Sequence, residues 1–306
     1  MRFTVKAPAS SANLGPGFDA IGLALDLWNT VKIDTDGPAG EVVNEGSEAA
    51  MLAGHDNLTI QAMEMLARDQ KRDLPPFSIV ARTEIPVSRG LGSSAAALVA
   101  GLVAADALLD LNLTQDQLFK YAWRMEGHGD NVGAALYGGA VLAVPGVNHP
   151  TFLWKGEDLG LTAVVFIPEA TGATWAARAA LPNDIPHADA ALNVATAAGL
   201  AIGLKTADHE LIAAGMRDML HEPYRARLFP HLDAMKATAR DHGAVGAALS
   251  GAGPTVLALV PPERASDVAD AFTRTARRLV VPGRVAHLAP VAEGAQIVPN
   301  DATPSP

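Results

Sequence analysis

Residues 86–97 read Pro-Val-Ser-Arg-Gly-Leu-Gly-Ser-Ser-Ala-Ala-Ala and run into Leu98-Val99-Ala100-Gly101-Leu102. The pattern predicts a short strand, Glu84 to Val87, then a glycine turn and an alanine-rich helix. In that helix Leu98, Leu102, Ala105 and Leu109 recur at helical spacing, a stripe that faces a core. Gly90 and Gly92 let the backbone turn with no Cβ in the way, so several amide N–H groups can face one point. Ser93 and Ser94 fall at the helix start, where unpaired N–H groups and the helix dipole favour an anion. The fold has to bury this helix and leave its N-terminus open to a guest, and phosphate suits it best.

Composition narrows the class. The 306 residues are 49% apolar and 18% charged, which suits one or two compact domains and excludes wholesale disorder. A formal charge of −10 without a Lys/Arg cluster speaks against nucleic acid or an anionic membrane as partner. With no cysteine, disulfide frameworks, thiolate chemistry and Cys-based metal sites are ruled out. The start, Met-Arg-Phe-Thr-Val-Lys, lacks an apolar signal core. The longest apolar run, Ala95 to Leu111, contains Asp106 and is too short to span a bilayer comfortably. A cytoplasmic protein is the expectation.

Strand-like patterning marks Phe3 to Ala7, Ala24 to Ile33 and Phe77 to Ile85, whereas Ser10-Ser11-Ala12-Asn13 does not read as a strand. Asn57 to Arg68 has helical spacing. Thr114 and Gln117 form a capping-box signature for a helix to about Met125, and Asp130 is placed to cap the next, Asn131 to Leu136. Gly138 to Val144, Leu161 to Ile167, Ala244 to Leu249, Thr255 to Val260 and Arg284 to Pro290 read as strands. His187 to about Arg240 is helix-rich, and Pro262 to Arg278 reads as a further helix. This irregular mixture predicts an α+β fold. Pro145-Gly146-Val147-Asn148-His149-Pro150 is the expected boundary between an N-terminal domain, 1–150, and a C-terminal domain, 151–292. The tail from Glu293 to Pro306 is expected to be disordered.

The P-loop needs Gly-Lys-Ser/Thr, and no lysine here follows a glycine. Two stretches imitate a dinucleotide fingerprint, Gly15-Pro16-Gly17-Phe18-Asp19-Ala20 and Gly90-Leu91-Gly92-Ser93-Ser94-Ala95. The first carries a proline, and the strand before the second is broken by Pro86. A dehydrogenase stays open as a minor alternative, with Asp110 at a tolerable distance for a ribose acid.

Three separated segments raise the specificity: Ala7 to Asp19 (Ala-Pro-Ala-Ser-Ser-Ala-Asn-Leu-Gly-Pro-Gly-Phe-Asp), Pro86 to Ala97, and Leu249-Ser250-Gly251-Ala252-Gly253-Pro254-Thr255. Together they resemble the signature motifs of the small-molecule kinases that include galactokinase, homoserine kinase, mevalonate kinase and phosphomevalonate kinase. The first segment and Glu126-Gly127-His128-Gly129-Asp130-Asn131 are similar to the homoserine kinases within that superfamily. The resemblance spans residues 4–290.

The resemblance implies a two-domain small-molecule kinase fold, with an N-terminal ribosomal-protein-S5-like domain and a C-terminal ferredoxin-like domain. It implies ATP and Mg²⁺ as cofactors, L-homoserine as substrate, and a homodimer. Backbone amides of Pro86, Val87, Ser88, Arg89, Gly90, Leu91, Gly92, Ser93, Ser94, Ala95 and Ala96 would wrap the ATP phosphates, and Asn57 would contact adenine. Ser94 and Glu126 would hold Mg²⁺, an ion suited to hard oxygens. Asp130 would hydrogen-bond the attacking hydroxyl. Asn13, Asp19, Thr174, Arg178, Arg225 and Gly251 would contact the amino acid, Asp19 taking its ammonium and the arginines its carboxylate.

Each residue has a plainer reading. A serine at 93 or 94, or Asn57, would simply cap its helix; Glu126 would be an exposed helix-end acid; Asn13 and Asp19 would be turn residues; either arginine would lie on the surface. Rival functions are a sister kinase acting on another small alcohol and a fold relative that binds ligands without catalysis. Intact Ser94, Glu126 and Asp130 speak against the second.

Overall fold

The computed structural model describes residues 1–54, 56–156 and 159–298. Its strands are β1 (Arg2–Asn13), β2 (Gly17–Asp34), β3 (Val42–Glu45), β4 (Ser78–Arg82), β5 (Ala140–Leu142), β6 (Thr151–Trp154), β7 (Thr162–Pro168), β8 (Gly246–Leu249), β9 (Val256–Val260), β10 (Gly283–Leu288) and β11 (Gln296–Val298). Its helices are α1 (Ala49–Leu52), α2 (Leu58–Asp69), α3 (Ser93–Leu109), α4 (Gln115–Glu126), α5 (Asp130–Tyr137), α6 (Thr174–Ala179), α7 (His187–Thr206), α8 (His209–Gly215), α9 (Glu222–Arg225), α10 (Leu232–Asp241) and α11 (Ala265–Leu279).

Two sheets organise the described residues. One is seven-stranded, in the order β11-β1-β2-β4-β3 with β5 on β2 and β6 on β5; the other is four-stranded, β10-β7-β9-β8. Every pairing is antiparallel except β3 with β4. This is the α+β arrangement expected, and it lacks the parallel βαβ array of a dinucleotide fold.

Helix α3 lies against β1 and between α2, α4 and α5. Leu98, Leu102, Ala105 and Leu109 are all buried there, as their spacing predicts. The capping box of α4 forms on both sides, Thr114 with Gln117. On the second sheet α10 and α11 bury Leu232, Met235, Val268 and Phe272 against Val164, Phe166 and Ala258.

Five local expectations are corrected. Glu84 to Val87 is not a strand, because the N–H groups of Glu84 and Ile85 donate to the side-chain Oδ1 of Asn29 at 2.9 and 3.0 Å. Ser10 to Asn13 is part of β1. Its ladder with β2 shifts register at Pro8/Ala9 and Ala12/Asn13, and such bulges accommodate the proline. Pro145 to Pro150 joins β5 to β6, two paired strands of the first sheet. Within the tail, Gln296–Val298 is β11, paired with β1 through Thr4, Val5 and Lys6; residues 299–306 lie outside the described residues. Gly129, not Asp130, is the N-cap of α5, and Asp130 is its first residue.

Candidate active site

Gly92, at φ +72°, is the N-cap of α3, and no side chain caps that helix. Ser93 and Ser94 are therefore its first two residues, and the capping explanation of either serine falls away. The first-turn N–H groups are left for a ligand. Gly90 has φ +78°, and a Cβ there would stand 2.2 Å from the Ser250 carbonyl oxygen. A Cβ on Gly92 would stand 2.1 Å from Ser10 Oγ. These close approaches bring the three sequence motifs together. Ser10 N–H donates to Leu91 O at 3.1 Å, and Ser250 Oγ donates to Gly90 O at 2.6 Å.

A cleft of about 450 Å³ opens in front of this turn. Pro86, Val87, Ser88, Gly90, Leu91, Gly92, Ser93 and Ser94 line it. Arg89, Ala95 and Ala96 do not line it. Both alanines are fully buried in the core. Arg89 points away, with Nη1 3.0 Å from Glu48 Oε2, Nε donating to Pro168 O at 3.0 Å and Nη2 to Glu169 O at 3.0 Å. Asn57 fulfils its plainer reading: its Oδ1 accepts from the N–H groups of Thr59 and Ile60 at 3.0 and 3.2 Å, capping α2. It also lines the cleft, beside the half-exposed apolar side chains of Val42, Met51 and Leu58.

Beyond the turn the acids gather. Ser94 Oγ donates to Glu126 Oε2 at 3.3 Å. Burial holds the Glu126 carboxyl above the usual carboxylate range; His128 and Ser94 oppose this, and Asp130 adds to it. A carboxylate and a hydroxyl beside a helix N-terminus are a hard-oxygen pair that fits Mg²⁺, and a cation there would offset the burial of Glu126. Asp130 is buried; its Oδ1 accepts from Asn131 N–H at 2.7 Å and lies 2.5 Å from His128 Nδ1. Its Oδ2 has no protein hydrogen bond among the described residues. His128 was not singled out from the sequence, since one histidine among nine carries little signal. It stands between the two acids because Gly127, at φ +88°, ends α4 two residues before Gly129 caps α5. Burial lowers its pKa, but Asp130, Glu126 and Asp19 outweigh that and raise it above the ordinary value.

The far end of the cleft carries the opposite charges. Asp19 and Arg178 form a bidentate ion pair. Asn13 Oδ1 accepts the Asp19 N–H at 3.0 Å, and Asn13 Nδ2 donates to Gly251 O at 2.9 Å. Arg225 is buried, with Nε donating to Ala177 O at 3.2 Å and Nη1 to Gly251 O at 3.1 Å. Its Nη2 has no protein partner among the described residues. Burial, with Arg178 nearby, pushes the Arg225 guanidinium down to about 10, against the pull of Asp19. The ring of Phe18, absent from the expected contacts, lies 5.7 Å from Arg178 Cζ and 5.3 Å from Arg225 Cζ. A buried cation with an open edge calls for an anionic ligand. Thr174, the first residue of α6, lines the same end.

Comparison with known proteins places the chain in a family. The GHMP kinases N terminal domain matches residues 57–139, and the GHMP kinases C terminal domain matches residues 188–278. The homoserine kinase of Synechococcus sp. (strain CC9311) is 39% identical over 97% of this chain and 96% of its own. The chain belongs to the homoserine kinase family. The homoserine kinase of Deinococcus radiodurans is 44% identical over 83% of each chain. The crystal structure of homoserine kinase from Cytophaga hutchinsonii superposes with a TM-score of 0.86 at 28% identity, covering 97% of each chain. The two-domain GHMP kinase fold follows, and a dehydrogenase is set aside. Among the described residues no helix is long and apolar enough to cross a membrane.

Proposed function

We propose that this homoserine kinase family member transfers the γ-phosphoryl group of ATP to the side-chain hydroxyl of L-homoserine, giving O-phospho-L-homoserine, the precursor of threonine. One observation carries the reading: Asp130 shares a single cleft with the glycine turn on one side and with Asp19, Arg178 and Arg225 on the other. An amino acid presents an ammonium and a carboxylate, and this end of the cleft offers a carboxylate and two guanidinium groups. A sugar or isoprenoid alcohol has no ammonium for Asp19.

In this mechanism the open N–H groups of the Ser93–Ser94 turn bind the phosphates, and Asn57 with its apolar neighbours borders the adenine. Asp130 Oδ2 accepts a hydrogen bond from the attacking hydroxyl and orients it toward the γ-phosphorus. The new P–O bond forms as the β–γ bridging bond breaks, ADP leaves, and the hydroxyl proton passes to Asp130 or solvent. Such transfer is chiefly positioning and charge neutralisation, so a rigid Asp130 matters more than a strong base. Ser94 and Glu126 would hold Mg²⁺, which when bound neutralises phosphate charge. Asn13 orients Asp19, Thr174 and Gly251 border the amino acid, and Arg225 takes its carboxylate.

We also propose two domains, the first running through β6 to Trp154 rather than ending at residue 150, a cytoplasmic setting and a homodimer. The exposed Val194 and Ile202 on α7 support a contact between copies. A coupled ADP-release assay over homoserine, threonine, serine, mevalonate and galactose tests the reaction. Turnover is expected with homoserine well above the rest, and none above background with homoserine would overturn the proposal.

A further inference from the structure

His221 is fully buried at the N-terminus of α9 and lies between the Gly15–Phe18 segment and Arg225. Its Nε2 is 2.8 Å from Gly15 O, in the turn between β1 and β2. Its Nδ1 is 3.2 Å from Arg225 Nη1. Its ring meets Phe18 with centroids 5.3 Å apart. Its backbone N–H donates to Asp218 Oδ2 at 2.9 Å.

Chemistry allows one protonation pattern here. A carbonyl oxygen can only accept, so Nε2 must carry the proton. A guanidinium can only donate, so Nδ1 must offer its lone pair. His221 is thus neutral, and a second proton on Nδ1 would set donor against donor and cation against cation. The groups facing the ring are Asp218, Glu222, Arg225, the Phe18 face and the Gly15 carbonyl. Burial lowers the His221 pKa below the ordinary value, aided by Arg225 and opposed by Asp218, Glu222 and the Gly15 carbonyl. Asp218 Oδ2 lies 3.7 Å from Nε2, beyond hydrogen-bond reach, and both acids have backbone or lysine partners. Asp218 accepts from the N–H groups of Leu220, His221 and Glu222. Glu222 accepts from Leu249 N–H and pairs with Lys236.

We propose that neutral His221 is a positioning residue for the carboxylate half of the substrate site. It spans from the Gly15 carbonyl to Arg225 Nη1, and so holds the open Nη2 edge of Arg225 toward the cleft in register with the Phe18–Asp19 segment. Protonation of His221 releases that edge, which gives homoserine binding a dependence on pH that ATP binding does not share. The inference rests on the reading that Arg225 receives the substrate carboxylate.

Three variants divide the ring's two bonds. His221→Asn keeps an acceptor toward Arg225, His221→Gln keeps a donor toward Gly15, and His221→Phe keeps only the ring. His221→Phe and His221→Gln are expected to raise the homoserine KM about tenfold and the ATP KM less than about twofold, the effect of a lost bond to a charged group. His221→Asn is expected to stay within about threefold of wild type for homoserine. In the wild type the homoserine KM rises as pH falls from 7.5 to about 5 with ATP KM flat, and in His221→Asn that rise disappears. Homoserine and ATP KM values affected equally, or an unchanged pH rise in His221→Asn, would overturn the proposal. If the variants unfold, the wild-type protein still decides it through ¹⁵N–¹H ring correlations. A neutral Nε2–H tautomer for the histidine that contacts Gly15 is required near pH 7, and an Nδ1–H tautomer or a cation refutes it. Failure of the wild type to turn over homoserine would instead refute the proposed function, leaving the ring assignment standing.

Discussion

Arg178 grips Asp19 through two parallel bonds, Nη1 to Oδ2 at 3.0 Å and Nη2 to Oδ1 at 2.8 Å, across 159 residues of chain. The pair stands at the open end of the cleft, where Arg178 is 41% exposed. Its two halves match the two charges of an amino acid. A zwitterion that enters replaces one ion pair with two, whereas a ligand carrying one charge leaves a partner unpaired.

Asp19→Asn keeps the acceptor but removes the charge. The homoserine KM is expected to rise about tenfold or more, with the ATP KM within about twofold. Steady-state kinetics with each substrate varied in turn checks this, and equal rises would assign the pair a structural role.

Asp130→Asn keeps the bond to Asn131 N–H possible through its Oδ1 but then turns an NH2 donor, which cannot accept, toward the attacking hydroxyl. We expect kcat to fall about 100-fold or more while the ATP KM stays close to wild type. Retention of most of kcat and of homoserine affinity would remove Asp130 from the mechanism.

Glu126 and Ser94 make a prediction about metal dependence. Chelation with EDTA abolishes turnover, and Mg²⁺ restores it. In Glu126→Gln the half-saturating Mg²⁺ concentration is expected to rise about tenfold or more, since a neutral amide holds a hard cation poorly. A titration curve that overlays the wild type would exclude Glu126 as a ligand.

Gly90→Ala tests the turn itself. An alanine at φ +78° is strained, and its Cβ would stand 2.2 Å from a backbone oxygen that cannot rotate away. The strain alone costs at least about 1 kcal/mol, so Tm falls by about 2 °C or more, and the ATP KM rises further than the homoserine KM. Thermal melts with the same kinetic series measure both.

His231 predicts the direction of acid sensitivity. Its Nε2 lies 2.9 Å from Pro254 O. Burial lowers its pKa below the ordinary 6.5, and the Pro254 carbonyl only partly restores it. The unfolded chain therefore takes up this proton at higher pH than the folded one. Stability from the neutral ring is present above 6.5 and is lost as pH falls through the lower folded value. His231→Gln can keep a donor and does not titrate, so the Tm gap between wild type and variant should narrow from pH 7.5 to about 5. A gap that widens would reverse the assignment.

Much of this was legible in the order of residues. Helix α3, the capping box of α4 and the glycine turn are written in contacts within a few positions, and local patterns predict them. Ser10 to Asn13 escaped notice because its short polar side chains look like a loop until remote partners bury them: Asn131 for Ser10, Ser250 for Ser11, Gly251 for Asn13. Glu84 to Val87 has the opposite character: it reads as a strand, yet Asn29 and Glu48 rather than a neighbouring strand receive its N–H groups. Asn57 was legible only as two readings, and the fold lets both stand.

By itself the sequence determined the chemistry on offer: an anion-binding turn, two acids four residues apart, and arginines suited to a carboxylate. Tertiary structure decided how each was used. Arg89 sits inside the turn in sequence yet faces Glu48 and the end of β7 in space. Arg178 and Arg225 look alike on the page, but one is half-exposed and paired, the other buried with an open edge. Local propensity acts over a turn or two of chain. Burial and the pairing of charges depend on which distant segments meet, and only the packed sheets and helices settle that.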